Sequence, residues 1–334
     1  MTFIILFDKI NSEVYEMTAI IRLLALILSV FIFLPSAGYT GEIEKQDTQA
    51  CLLSATVLSD MHMESNSRER HERIGKTLQA AKQADNDAVL FLGDNTMNGQ
   101  WIETVMFYGL VSRNFAAEKV ICAPGNHDLD DNENNFVSRE QLEKRFVALR
   151  NSFFTDDGEN VYFSREVNGY RFIVLGGEER SDENGQQFLS EEQLNWLEDE
   201  LAEVAKSGKP CFVLNHYLVY GRNGSRSYAM FNVSLQNDRL TEILENSGVR
   251  TFYFSGHSHY GVNTDSVQTT GNVTYINLPS TGNGGNYVPA NEKCAEPGIG
   301  MQMEVYADRV VLRFRNYLTE EWLDGFDNYV FALN

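Results

Sequence analysis

Six histidines are spread over 334 residues, and two of them, His257 and His259, stand one residue apart directly after the apolar run FYFSG. If that run is a strand, alternation sends residues i and i+2 to the same side, so both imidazoles enter one space at the strand's C-terminal end. Four further apolar runs end in side chains that ligate metals: Asp60 and His62 in SDMH, Asp94 in GDN, Asn126 and His127 in GNHD, and the isolated His216. Taken singly, an Asp after a strand caps a turn, GD and GN pairs are loop punctuation, and a lone histidine is more often a hydrogen-bonded core residue. Jointly, five strand ends supply carboxylate, amide oxygen and imidazole. That mixture suits Mn, Fe or Zn rather than Ca, which takes oxygen alone.

The elements that must position these residues follow from hydrophobic periodicity. Residues 52–58 read as a strand, followed by a helix from Arg68 to Ala84; 88–93 form the next strand, followed by a helix from Trp101 to Asn114, and 119–125 repeat the strand pattern. This order predicts an α/β protein with parallel pairing and helices on the sheet faces, and open α/β sheets bind ligands at the C-terminal ends of their strands. In the second half, Asn168-Gly169 between two short apolar runs predicts a hairpin. Ser190 with Gln193 predicts a capping box opening a helix to Lys206. Strands at 211–216 and 251–257, a helix from Leu235 to Asn246, a strand at 272–278 and a closing hairpin over 301–314 complete the pattern. No Pro/Gly/Ser linker and no repeat divides the chain, so residues 50–334 are expected to form one catalytic domain.

Composition narrows the partners. At 43% hydrophobic and 12% aromatic the chain can bury a sizeable core. Its 47 acidic against 27 basic residues, a formal charge of −20, argue against tracking the backbone of long nucleic acid. Residues 23–34, LLALILSVFIFL, carry no charge, follow Arg22 and precede Ser36, Ala37 and Gly38, the layout of a secretory signal. Export, to a secreted or periplasmic location, is therefore expected for this 1–40 extension. The run falls short of the roughly 20 residues that cross a bilayer, although a count from Ala19 that tolerates Arg22 would make an uncleaved membrane anchor. Met17 would make a more ordinary start for such a signal than Met1. Of the four cysteines, Cys122 and Cys211 lie in strand-like runs and read as buried thiols. Cys51 and Cys294 lie in polar segments expected to be exposed, where an exported chain could join them in a disulfide.

In order along the chain, DMH, GDN, GNHD, His216 and GHSH resemble the signature of the calcineurin-like metallophosphoesterase superfamily, over residues 60–259. The resemblance implies two central mixed β-sheets flanked by helices, a four-layer α/β/β/α sandwich, and a two-metal site. One metal would take Asp60, His62, His259 and a bridging Asp94; the other would take Asp94, Asn126, His216 and His257. His127 would lie beside the substrate, stabilising charge on phosphorus or protonating the departing alkoxide. The reaction implied is hydrolysis of a small phosphate ester by in-line attack of a metal-bound hydroxide, with a lean toward nucleotide-type phosphodiesters over phosphomonoesters. A non-catalytic scaffold is the rival reading, but its mark would be lost ligands, and none of the seven is lost. A metallo-β-lactamase type would need a compact HxHxDH cluster, which is absent.

There are departures and outliers. Many family members place an acidic residue three positions after the bridging Asp to orient the histidine equivalent to His127; here that position is Met97. Asn98, another carboxylate or a backbone carbonyl must then take the role. Met97 also replaces the tyrosine ligand of the purple acid phosphatase branch, which argues against that branch. His71, in SRERHERIGK, reads as part of a solvated helix face. Arg222 and Arg226 are candidates to clamp a substrate phosphate, because guanidinium matches such oxygens bidentately. The Gly/Asn-rich loop 281–298 could rim the site, with Tyr287 stacking on a ring.

Overall fold

The computed structural model describes residues 50–129, 137–178, 185–285 and 292–333. The 23–34 segment and Tyr287 lie outside these residues. Among the described residues no helix is long and apolar enough to cross a membrane.

Strand β1 (Leu53–Leu58) pairs in parallel with β2 (Ala88–Phe91), which pairs in parallel with β3 (Val120–Cys122). The second sheet is opened by the hairpin of β4 (Phe163–Val167) and β5 (Tyr170–Val174), joined at Asn168-Gly169. It continues in parallel through β6 (Cys211–Leu214) and β7 (Thr251–Ser255), and β8 (Val267–Thr270) and β9 (Val273–Asn277) complete it in the order β4-β5-β6-β7-β9-β8. The chain then returns to the first sheet with β10 (Ile299–Val305), β11 (Arg309–Asn316), β12 (Glu321–Trp322) and β13 (Tyr329–Ala332), giving the order β12-β11-β10-β1-β2-β3 with β13 against β11.

Side-chain alternation builds the layers. Leu53, Ala55 and Val57 of β1, Leu90 of β2, Phe172 and Val174 of β5, Phe212 and Leu214 of β6, and Phe252 and Phe254 of β7 meet in one core between the sheets. Residues of opposite parity face outward: Val89 and Phe91 pack with helices α1 (Arg68–Lys82) and α2 (Trp101–Asn114), as Ile74, Leu78, Val105 and Phe107 show. On the far side, Ile173, Val213 and Tyr253 pack with α5 (Glu191–Ala205) and α6 (Asn237–Asn246) through Leu194, Leu197, Leu240 and Leu244. Strands buried on both faces must read as continuous apolar runs, and these do. The result is the four-layer sandwich.

Between these lie the four-residue α3 (Asn126–Leu129) and α4 (Arg139–Phe153). Helix α4 is absent from the sequence reading, yet Ser138 and Gln141 form a full capping box at its start. At α5 only half of the expected box forms: Ser190 Oγ accepts from Gln193 N at 3.1 Å, while the Gln193 amide donates to Gly176 O at 2.8 Å.

Two expectations fail here. Cys51 and Cys294 are not joined in a disulfide, and Cys294 is buried in the inter-sheet core rather than exposed. His71 is not solvated: it is 8% exposed, and its Nε2 lies 2.6 Å from Glu64 O, tying α1 to the loop after β1.

Candidate metal centre

The loops after β1, β2 and β3 of one sheet and β6 and β7 of the other converge at one end of the sandwich. Backbone hydrogen bonds carry the β1–β2 pairing past the strands: Asp60 N donates to Gly93 O at 3.0 Å and His62 N to Asp94 O at 2.9 Å. Glycine permits the closest approach. A Cβ on Gly93 would lie 2.7 Å from Gly125 N, and one on Gly125 would lie 2.2 Å from Asp94 Oδ1. Asp60, His62, Asp94, His257 and His259 all hold left-handed backbone, with φ between 49° and 63°. Such conformations are costly for residues with a Cβ and gather at functional sites.

The side chains fall into two groups that share Asp94. One donor atom from each of Asp60, His62, Asp94 and His259 lies within 4.8 Å of the others, and the same holds for Asp94, His216 and His257. In the first group His259 Nε2 is 3.0 Å from Asp60 Oδ1 and 3.0 Å from His62 Nε2. In the second, His216 Nε2 is 3.2 Å from Asp94 Oδ2 and 3.1 Å from His257 Nδ1. Facing imidazole nitrogens at that distance repel unless a proton or a cation lies between them. Asn126, whose neighbour His127 donates its backbone N–H to Asp94 Oδ1, carries an amide oxygen, Oδ1, that is buried without a hydrogen-bond partner. Buried polar atoms are nearly always paired, so an unpaired one beside a carboxylate cluster fits a cation ligand. Outer partners fix the rings: His216 Nδ1 meets Leu92 O at 3.0 Å, and His257 Nε2 meets Phe231 O at 2.8 Å.

The electrostatics are those of a buried anionic pocket. Burial opposes ionisation of Asp94, but His216 and His127 outweigh it and hold the carboxyl well below its usual range. Asp60 is likewise lowered against burial by His259 and His216. Burial drives the His62 imidazole down to about 3 despite Asp94 and Asp60. Burial and then His216 push His257 down to about 4. Burial would also lower His216, but Asp94 and Asp60 carry it up to about 9.

His127 stands at the edge, its Nε2 4.0 Å from Asp94 Oδ2 and its backbone N–H donating to Asp94 Oδ1 at 2.8 Å. Its Nδ1 lies 2.6 Å from Met97 O. The backbone carbonyl therefore takes the orienting role, and the identity of the Met97 side chain is irrelevant to it. Asn98 is engaged elsewhere, donating through Nδ2 to buried Glu103 at 2.9 Å.

The phosphate-clamp expectation for the arginines is corrected. Arg226 is 1% exposed and donates to Asn277 Oδ1 at 3.0 Å, Gly261 O at 2.8 Å and Asn263 Oδ1 at 2.6 Å. Arg222 is paired with Glu245 through Nε at 2.9 Å. Both guanidinium groups are spent on structure. Arg226 instead steadies the GHSH loop, because Asn277 also accepts from Ser258 Oγ at 2.8 Å and donates to Gly256 O at 2.8 Å.

Asp128 is the residue whose importance the sequence reading missed. Its carboxylate accepts from Gly125 N at 2.9 Å, Asn95 N at 3.2 Å, Asn95 Nδ2 at 3.0 Å, Thr96 N at 3.0 Å and Thr96 Oγ1 at 2.9 Å, stapling the GDN loop to the GNHD loop. The signal was present: an Asp three residues after Gly125, at the start of a short helix.

Residues 53–261 match the calcineurin-like phosphoesterase family. The chain belongs to that family. Like the family, this calcineurin-like phosphoesterase is a phosphate-ester hydrolase, and its fold together with the two donor groups supports a pair of metal ions. No curated protein matches it in sequence. Among solved structures it is similar to a dimetal phosphatase from Danio rerio, with TM-score 0.59 and 14% identity over 85% of this chain and 100% of that one. It is also similar to a purple acid phosphatase from yellow lupin seeds, with TM-score 0.58 and 16% identity over 84% of this chain and 53% of that one. A third likeness is to GAP50, described as the anchor in the inner membrane complex of Plasmodium, with TM-score 0.52 and 16% identity over 85% and 89%. At these identities the likeness is one of fold.

Proposed function

We propose that this chain is an exported dinuclear phosphoesterase that prefers small or nucleotide-type phosphodiesters to phosphomonoesters. The observation that carries the reading is the sharing of Asp94 by two donor groups, with His127 Nε2 held 4.0 Å from its Oδ2. Asp60, His62, Asp94 and His259 would hold one ion; Asp94, Asn126, His216 and His257 would hold the other. Imidazole nitrogen mixed with carboxylate and amide oxygen favours Mn, Fe or Zn. When bound, such a pair neutralises phosphoryl oxygens and lowers the pKa of water.

The protein's own residues then divide the remaining work. Water adds to phosphorus as the ester P–O bond breaks, and the departing oxygen leaves with the bonding electron pair. His127, with Nδ1 on Met97 O and Nε2 facing the centre, gives that oxygen a proton and regains one from the water consumed. The buried loops keep the carboxylates out of bulk solvent, and in that lower dielectric their attraction for cations is stronger. The formal charge of −20 supports a small ester over a long nucleic acid.

The test is turnover of matched aryl phosphodiester and phosphomonoester substrates by chelator-treated protein reconstituted with Mn²⁺, Fe²⁺ or Zn²⁺. Wild type is expected to favour the diester, Asp94→Ala to lose turnover, and His127→Ala to lose most with a poor leaving group. Retained turnover in Asp94→Ala would contradict the hydrolase mechanism, and a higher rate on the monoester would contradict the substrate preference.

A further inference from the structure

Seven large hydrophobic residues stand exposed among the described residues, and five of them, Tyr220, Tyr228, Met230, Phe231 and Leu235, come from one stretch after β6. Scattered exposed apolar residues need no explanation, but a cluster does. Nor is this stretch loosely held. Leu218 and Val233 form a bridge that closes it into an arm, and Gln187 and Ser234 form a second. Inside the arm, the Asn223 amide donates to Asp265 O, Ser266 O and Tyr275 O at 3.0–3.2 Å, and buried Arg226 bolts it to Gly261 and Asn277. The polar side of the arm is thus fixed in the protein while its rings face water: Tyr228 is 58% and Phe231 55% exposed.

The arm is continuous with the metal centre. Phe231 O accepts the hydrogen bond from His257 Nε2 at 2.8 Å, and the Phe231 ring centroid is 6.3 Å from the His257 ring. Tyr220 and Tyr228 pair at 5.7 Å, and Tyr220, Met230, Val233 and Leu235 wall a cavity of about 420 Å³. Phenol rings offer an apolar face with a polar edge, which suits a heteroaromatic ring better than an acyl chain. The strongly acidic chain also disfavours an anionic membrane surface.

We infer that this arm receives the planar aromatic group of a phosphate ester, such as a nucleobase, with Phe231 and Tyr228 as the specificity-determining residues. The inference rests on the proposed phosphoesterase site, since the ester's phosphate would lie among the two donor groups.

The experiment is calorimetric binding to the full, metal-loaded chain of two phosphonate analogues, one of adenosine 5′-monophosphate and one of ribose 5-phosphate. Their P–C bonds resist hydrolysis, and they differ at C1, which carries adenine in one and a hydroxyl in the other. Stacking on an aromatic side chain predicts that wild type binds the adenosine analogue about tenfold more tightly. Phe231→Ala and Tyr228→Ala should bring that ratio toward one, and Phe231→Trp should keep it. Equal affinities in wild type, or a ratio that survives both alanine variants, would overturn the inference while leaving the metal site standing. Sedimentation with phosphatidylcholine vesicles that depends on Phe231, beside equal affinities for the analogues, would reassign the arm to a lipid surface and also overturn it. A wild-type chain that takes up no metal by elemental analysis would overturn the site and the arm together.

Discussion

The two sheets contribute unlike halves to one centre. The first brings Asp60, His62, Asp94 and Asn126, with both carboxylates at most 1% exposed and their loops bound to each other through backbone ladders and Asp128. The second brings His216, His257 and His259, three imidazoles and no anionic oxygen. His257 hangs on Phe231 O, and the GHSH loop leans on Asn277 and Arg226. The first half fixes charge and geometry. The second supplies no carboxylate and is wired to the exposed arm through Phe231 O.

Substitutions should separate the halves. The largest effect belongs to Asp94→Ala, which serves both groups: elemental analysis should find both ions lost, and retention of two would show that the halves are independent. Asp128→Ala comes next. It leaves buried N–H groups of Gly125, Asn95 and Thr96 without an acceptor, and denaturant unfolding should show a loss of about 3–5 kcal/mol. An unchanged midpoint would mean that water replaces the staple.

Arg226→Lys should act through the second half, whose GHSH loop carries His257 for one donor group and His259 for the other. Residues behind metal ligands typically tune affinity by about 10–100-fold. Metal titration should therefore show both ions loosened by at least about tenfold; unchanged affinity for both would mean that Arg226 does not steady the loop. Met97→Ala should do least. His127 is held by the backbone carbonyl, so the rate on a poor leaving group should stay close to wild type. A fall as deep as that of His127→Ala would assign the orienting role to the side chain.

The centre was more legible in the sequence than its supports. Ligand-type residues at five strand ends are visible because apolar alternation locates the strands and chain order locates their ends. The buried roles of Arg226, Cys294 and His71 were not, since each sits in a polar segment whose burial is decided by tertiary contacts that periodicity does not show: Asn277, the inter-sheet core and Glu64 O, respectively. Helix α4 escaped because its apolar positions, Leu142, Phe146, Val147 and Leu149, are interleaved with charges. Its Ser138 and Gln141 cap was the readable sign. The arginine clamp failed for a related reason. A loop arginine shows its charge in sequence, but not whether that charge is already engaged.

The central claim is that Asp94 joins two cation sites, each of which draws ligands from both sheets. Anomalous diffraction from crystals of the active, metal-loaded protein tests it most directly. The account predicts two peaks about 3.5–4 Å apart, one among Asp60, His62 and His259, the other among Asn126, His216 and His257, with Asp94 touching both. A single peak, or none, in an active preparation would contradict it.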